Sequence, residues 1–381
     1  MRKVGPLSKA MFGALFSACI VLVLQTGMRG ATGIGLGEMG LAVLVMFVLF
    51  AKFPTLVASL GGREFRILLW YGLWVLLILT PTTLLMSALD MPGSSMRDLT
   101  AYIFVSLVIA AIALMRDTLP LIGRSFVIFL LTTLVWQYFF GGSDVWYHGV
   151  RFTAGAENPN QLALYLVCAE LFVVLFTRNM LLKLLFLCIF FVFGIISGSD
   201  AYLLSRIVML IMALIMFVIS KRRFWYLFPF LVMSIVGVLI PTYTDISSIL
   251  EAYLMTADEG GSRLTILANG VRAWLDTPFS ALFGNGAGAF SGYAGPFQSF
   301  EAHNTLVDML SIGGPAGAAL VYTPLLALAF RSYSNDLWLI SAFVGGLMAF
   351  SMFHFMGRQP VTWIVLYTCS YTVLLLKRKL N

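Results

Sequence analysis

The feature that most constrains this chain is a succession of apolar runs about 17–23 residues long. As a helix rising 1.5 Å per residue, each would cross about 30 Å of hydrocarbon. A soluble domain carries about 25% charged residues. Here 60% of the 381 residues are hydrophobic and only 11% are charged. That excess cannot be hidden inside one water-soluble core. The runs are solid blocks, without the alternation a transmembrane β-barrel needs. The expectation is an all-α polytopic membrane protein forming a single transmembrane domain. Its expected spans, about twelve, lie near 10–27, 36–53, 67–88, 99–115, 124–140, 160–177, 181–197, 201–220, 224–240, 304–330, 337–354 and 360–376.

An even number of spans puts both ends of the chain on one side, and the basic residues indicate which. Arg2, Lys3, Lys9, Lys52, Arg63, Arg66, Arg116, Arg124, Lys183, Arg331 and Lys377 all fall on the side of the termini. Cytoplasmic loops carry such an excess, so both termini are expected in the cytoplasm. The formal charge of +7 is assigned to those loops, and no nucleic-acid partner is expected. Arg2, Lys3 and Lys9 before the first apolar run resemble a signal peptide. No convincing cleavage site follows, so the run is read as a first helix that stays. Cys19, Cys168, Cys188 and Cys369 all lie inside apolar runs without metal-ligand spacing and are read as packing residues.

The sorting has a second result. Every lysine falls on the cytoplasmic side, whereas the basic residues assigned to the far side are all arginines: Arg29, Arg97, Arg151, Arg263, Arg272 and Arg358. A guanidinium grips phosphate or carboxylate through two bonds, and an ammonium does not. Chance is the alternative, because arginine outnumbers lysine here. His148, His303 and His354 are assigned to the same side.

Two outer loops are long. The first, near 141–159, contains Arg151, Gly155 and the run Asn158-Pro-Asn160. The second, 241–303, is expected to be a periplasmic loop with short amphipathic helices that forms part of the active site. Within it Ser262–Asp276 reads as a helix capped by Ser262, with Leu264, Leu267, Val271, Trp274 and Leu275 as its apolar face. Asp276-Thr-Pro-Phe should end that helix. The Gly284-Asn-Gly-Ala-Gly288 run reads as a flexible turn and lacks the setting of a nucleotide-binding loop.

Four features could carry chemistry. Arg151 with Asn158 and Asn160 offers a cation and two amides; capping alone would explain one asparagine. Arg263, read as lying in the first turn of the loop helix, would add a guanidinium to a helix end that attracts anions, or be a plain surface arginine. Arg206 lies about 9 Å inside the eighth span, where a buried cation needs a partner and usually has a role; Asp200, Asp308 and Glu170 are candidates. His303-Asn304 ends the long loop. A helix beginning there favours the neutral imidazole a general base requires, and Glu301 opposes it. A loop-end histidine that does nothing but help start a helix is the bland alternative. Below it, Gly314 and Gly317 would let another helix approach closely. No metal site is expected, since histidines and carboxylates lack ligand spacing.

His303-Asn304, nine residues, Gly314, two residues, Gly317 resembles the histidine motif of bacterial O-antigen ligases. The Arg151…Asn158-Pro-Asn160 run, the Arg263…Trp274…Pro278 stretch and the Gly284-Asn-Gly286 turn are similar to the wider O-antigen ligase and polymerase superfamily, over about residues 150–330. The resemblance implies a bacterial inner-membrane enzyme with its active site facing the periplasm and no cofactor. The donor would be a glycan on undecaprenyl diphosphate, and the acceptor lipid A–core or a growing glycan. Transfer would be inverting and metal-independent. His303 would activate the acceptor hydroxyl and Arg263 would hold the diphosphate, with Arg206, Arg151, Asn304, Asn158 and Asn160 as substrate-binding candidates. Where the family often carries Ser-Arg-Gly, this chain has Ser199-Asp200-Ala201. Arg206 or Arg151 would then replace that cation, or the activity differs. A ligase is the leading expectation and a polymerase the nearest rival. A transporter, with Arg206, Asp308 and Glu170 lining a path, is the alternative from another class; the halves show none of the repeat symmetry many transporters carry.

Overall fold

The computed structural model describes residues 6–25, 34–59, 62, 66–220, 257–291, 300–334 and 337–380, with side chains for all of these except 6–8, 59, 217–220, 257–264 and 376–380. The described chain is a bundle of helices: α1 Pro6–Val23, α2 Leu36–Ser59, α3 Arg66–Trp74, α4 Thr80–Ala88, α5 Met96–Leu114, α6 Leu119–Phe140, α7 Pro159–Phe176, α8 Met180–Ile196, α9 Asp200–Ser220, α10 Ala257–Leu275, α11 Pro278–Phe283, α12 Thr305–Ser334, α13 Trp338–Ser351 and α14 Pro360–Leu380. Among the described residues the only strands are β1 Trp146–Tyr147 and β2 Arg151–Phe152, a short antiparallel hairpin.

Among the described residues, six helical stretches are long and apolar enough to cross a membrane: Leu36–Ala58, Arg66–Ala88, Met96–Leu114, Arg116–Phe140, Pro159–Phe176 and Thr305–Ser334. Shorter apolar helices cover Lys9–Val23, Met180–Ile196, Trp338–Ser351 and Pro360–Leu375. The expected span at 224–240 and the start of the 241–303 loop lie outside the described residues. Each of the other expected spans coincides with a helix or, at 66–88, with α3 and α4 joined by a π-helical turn, Val75–Leu79. Pro81, having no N–H, helps explain that turn; Thr80 instead donates both its N–H and its hydroxyl to the Val75 carbonyl.

The connections around residues 89–95, 141–158, 197–199, 276–291, 300–304 and 352–359 meet at one end of the bundle, the loop face. Ser95 N–H donates to the Ala287 carbonyl and Gln25 Nε2 to the Ala154 carbonyl. Asn304 Nδ2 donates to the Met352 carbonyl. The helix starts on this face are capped in turn: Ser95 accepts from Asp98 N–H, Asn158 from Gln161 N–H, and Ser199 from Tyr202 N–H.

The joint that shapes this face is in α12. The helix breaks at Gly313 and Gly314, whose φ of +59° suits glycine, and Pro315 cannot donate back to Ser311. Two carbonyls are thereby freed. Asn285 N–H donates to Ser311 O at 2.8 Å and Gly286 N–H to Ile312 O at 2.9 Å. The Asn285 amide adds bonds to Ser311 O and Ala273 O. The 284–288 run is therefore a buried clamp and not the flexible turn expected from its glycines. It is wedged against α4 as well, where Thr83 Oγ1 accepts from Ala287 N–H. As expected, a helix approaches closely at Gly314, namely α11 through the Leu282 carbonyl, and the ring of Trp74 in α3 lies beside Gly313 and Gly317.

At Gly314 a Cβ would collide with the Leu282 carbonyl, whereas at Gly142, also left-handed (φ +64°), it would meet open space. Gly142→Ala should therefore cost only the strain, about 1–3 kcal/mol, and Gly314→Ala clearly more. Thermal unfolding of both variants in detergent checks the order.

Candidate functional site

His303 stands in a left-handed backbone conformation, φ +52°, which is uncommon for a residue with a side chain. Its neighbours hold it there. Asp308, in the first turn of α12, reaches back with Oδ1 to accept from Ala302 N–H at 2.7 Å, and Oδ2 lies 3.3 Å from Asn304 N–H. Asn304 caps α12 by accepting from Leu306 and Val307 N–H. Thr305 donates its hydroxyl to the His354 carbonyl and accepts from Met356 N–H. Helix α10 packs on the same turn through Gly270, where a Cβ would sit 2.7 Å from Val307 Cγ1 and 3.3 Å from the Ala302 methyl. The bend is thus fixed from both sides.

A cluster of charge adjoins it. Arg358 bonds Asp98 at 2.8 Å and Glu301 at 2.5 Å, and its guanidinium lies over the Phe355 ring. It joins the start of α5, the residue two before His303 and the 352–359 turn. Burial pulls the Arg358 guanidinium down, but Glu301 and Asp98 together push it above its ordinary value. Burial raises the Glu301 carboxyl, with Arg358 opposing and Asp98 adding to the shift. His354, on the same turn, is buried with neither ring nitrogen hydrogen-bonded. Burial, then the positive neighbours His303 and Arg358, lowers its pKa to about 3. Asp98 was not among the expected site residues, and Arg358 and His354 were singled out only by side. A half-buried charge cluster spanning residues 98, 301 and 358 has no local sequence signal.

The other candidates fall into separate places. Asn160 Oδ1 accepts from the Ser199 hydroxyl, which itself caps α9, so Asn158 and Asn160 secure two helix starts. Arg151 donates from Nη2 to Gly198 O at 2.8 Å and from Nε to Ser197 O at 3.4 Å, at the carbonyl end of α8, where a cation is favoured. Arg206 is 7% exposed and pairs with Glu170, which is fully buried. Tyr202 donates its hydroxyl to the same carboxylate and the Arg206 guanidinium lies over the Tyr202 and Phe343 rings. Of the three partners considered, Glu170 is the one beside it. Asp308 is engaged at the His303 turn instead. Asp200, at the start of α9, lies more than a turn away along the helix.

The side chain of Arg263 lies outside the described ones, but its helix is placed. Helix α10 starts at Ala257, so Ser262 is inside it and not its cap. Arg263 is then more than a turn from the helix start, too far for the partial positive charge of the N-terminus to reinforce it. It is two turns from Gly270, the residue that meets the His303 turn. The helix ends at Leu275, as Asp276-Thr-Pro-Phe requires; Thr277 and Ser280 form a capping box that starts α11.

The structure therefore brings His303 and Asn304 together with Glu301, His354, Arg358 and Asp98, and sets Arg151, Asn158, Asn160 and Arg206 along α7–α9. Among the described residues no group of three or more His, Cys, Asp or Glu could hold a metal ion. In comparisons with known proteins, no family model matches this chain and no curated protein resembles it significantly.

Removing one partner of the Arg206–Glu170 pair leaves a buried charge. Arg206→Leu should destabilise by about 3–5 kcal/mol, and Arg206→Leu with Glu170→Leu should recover most of it. Thermal unfolding of the single and double variants in detergent tests this. His354 gives a pH dependence. Its folded pKa is depressed below the ordinary 6.5, so its contribution is intact above pH 6.5 and is lost as pH falls toward 3. Between pH 7 and 5 the loss amounts to about 2 kcal/mol. His354→Leu should remove this component from the melting profile.

Proposed function

We propose that this protein transfers a glycan from an undecaprenyl diphosphate carrier to lipid A–core, as an O-antigen ligase of the inner membrane with about twelve spans and the loop face in the periplasm. The observation that carries the reading is the held conformation of His303. Strained residues with side chains persist where surrounding structure over-determines them, and they cluster at reactive sites. Here the over-determination is explicit: Asp308, Asn304, Thr305 and Gly270 each fix the turn around one imidazole.

In this reading His303 accepts the proton of the acceptor hydroxyl as its oxygen attacks the anomeric carbon. The bond to the diphosphate breaks with inversion, and the leaving group departs with the electron pair. A lipid diphosphate needs cations more than a strong acid, and the arginines assigned to this face, Arg263 foremost, supply them. The Arg358 pair is a brace in this scheme, not a phosphate ligand, because both of its carboxylates already occupy it. Arg206 is likewise given no role at the diphosphate, since Glu170 and Tyr202 enclose it. That buried pairing, with Glu170, Tyr202 and the Phe343 ring around the guanidinium, also counts against a transport path through the bundle, although Arg206 Nε and Nη2 have no hydrogen-bond partner.

The test separates chemistry from folding. Asparagine tolerates the left-handed conformation, so His303→Asn should keep the turn and the melting temperature. It should lower the transfer rate by about 10²–10⁴. A variant with transfer within twofold of the parent would remove His303 from the mechanism. Gene deletion followed by gel analysis of lipopolysaccharide distinguishes the acceptor. Bare core with polymer stranded on the carrier is the ligase result, and core bearing a single repeat unit would identify a polymerase instead.

A further inference from the structure

The segment 257–290 reads in the sequence as part of a periplasmic loop, outside the membrane. Its place in the bundle is lower than that. Gly314, which touches the backbone of Leu282 and Phe283 in α11, is about 17 residues or 26 Å along α12 from Arg331, the basic residue near the opposite end. Thr83, which touches Gly286, is also about 17 residues or 26 Å from Arg66, the basic residue that starts α3. Two helices give the same depth independently. A hydrocarbon core is about 30 Å thick, so α11 and the clamp it leads into sit just inside its boundary on the loop-face side.

The side chains agree. Leu282 is 64% exposed and Phe283 44%, beside an exposed Phe279 whose ring lies 5.3 Å from that of Phe283. Three large apolar groups are thus turned outward at a level where the neighbouring helices also turn leucines outward, Leu84 and Leu85 on α4. Helix α10 continues the pattern. It buries its small-residue side, Ile266, Asn269, Gly270 and Ala273, and not the face of Leu267, Val271, Trp274 and Leu275 that its amphipathicity predicts. That apolar face stays half-buried or exposed, Thr265 and Arg272 are exposed beyond it, and Trp274 Nε1 donates to the Ala281 carbonyl over α11. Three sides of one helix then meet protein, hydrocarbon and water. The irregular backbone at 284–290 is tolerable at this depth because its polar groups are bonded to α12, α4 and the 91–95 turn.

We propose that α11 and the apolar stripe of α10 are immersed in lipid acyl chains at the headgroup boundary of the loop-face leaflet, continuous with the lipid-facing surface of α4. The occupant is the bilayer itself. Leu275, Phe279, Leu282 and Phe283 enter it, as the apolar face of an interfacial helix does. The exposed apolar area is thereby accounted for without a protein partner. The inference is independent of the chemistry at His303.

Spin labelling in nanodiscs of phosphatidylcholine and phosphatidylglycerol tests it. The four native cysteines are first replaced by alanine, with retained melting behaviour as the check. Labels are then placed singly at Leu282→Cys, at Leu326→Cys on the outward side of α12, and at Arg272→Cys on the polar side of α10. Leu282 should match Leu326, with a ratio of oxygen to nickel-complex collisions several-fold above that at Arg272. A ratio equal to that at Arg272 would put α11 in water and overturn the proposal. Protection from both reagents would mean that protein covers it, and would overturn it equally. If the Leu282 variant fails to assemble, Phe279→Cys, one turn earlier on the same side, carries the same comparison.

Discussion

In an apolar interior a carbonyl without a donor costs several kcal/mol, and α12 frees two of them where it breaks at Gly313-Gly314-Pro315. The Asn285 and Gly286 N–H groups answer that cost, and most of the loop face follows from the bonds they make. To reach Ser311 and Ile312 the 284–286 turn must descend into the bundle. It brings α11 against Gly314, packs on Thr83 of α4 and pairs with the 91–95 segment. The break also separates a two-turn piece, Thr305–Ile312, from the long lower part of α12. That short piece carries Asn304 at its cap and Asp308 in its first turn, so its direction decides where His303 is held.

Charge in the bundle is managed in two ways. Arg206 and Glu170 neutralise each other in the interior, with Tyr202 as a third member. Removal from water is so costly that such groups survive there chiefly as pairs. Arg358, nearer the loop face, is shared between Asp98 and Glu301 and so links three segments far apart in the chain. Its planar fork suits that task; a lysine would offer one point charge. The first cluster closes on itself within α7 and α9. The second braces the residues just before His303 against α5.

The asparagines show how one residue type can look functional and be architectural. Asn158, Asn160 and Asn304 all stand at helix starts, and each has its side-chain oxygen taken by a backbone N–H or a serine hydroxyl. Arg151 likewise bonds the carbonyl end of α8. His303 shares its left-handed backbone with Asp90, His148 and Ala154; the glycan-transfer proposal is built on the bonds from Asp308, Asn304 and Thr305 that hold the turn around it.

The apolar runs alone determined the described helices other than α10 and α11, with their approximate limits, because about 20 apolar residues in sequence have few other stable fates. Local signals also determined that Asn158 and Asn304 begin helices and that Asp276-Thr-Pro-Phe ends one, since caps and proline act within a few residues. The sequence could not show that Glu170 would be the partner of Arg206, or that Asp98 and Glu301 would share Arg358. Nor could it show that a glycine-rich turn would be rigid. It also misplaced the buried side of α10, taking the most apolar stripe where packing used Gly270 and Ala273. Each of these depends on which segments lie side by side. Only the tertiary arrangement decides that, because a hydrogen bond or ion pair inside the bundle joins groups that the chain brings together from tens to hundreds of residues apart.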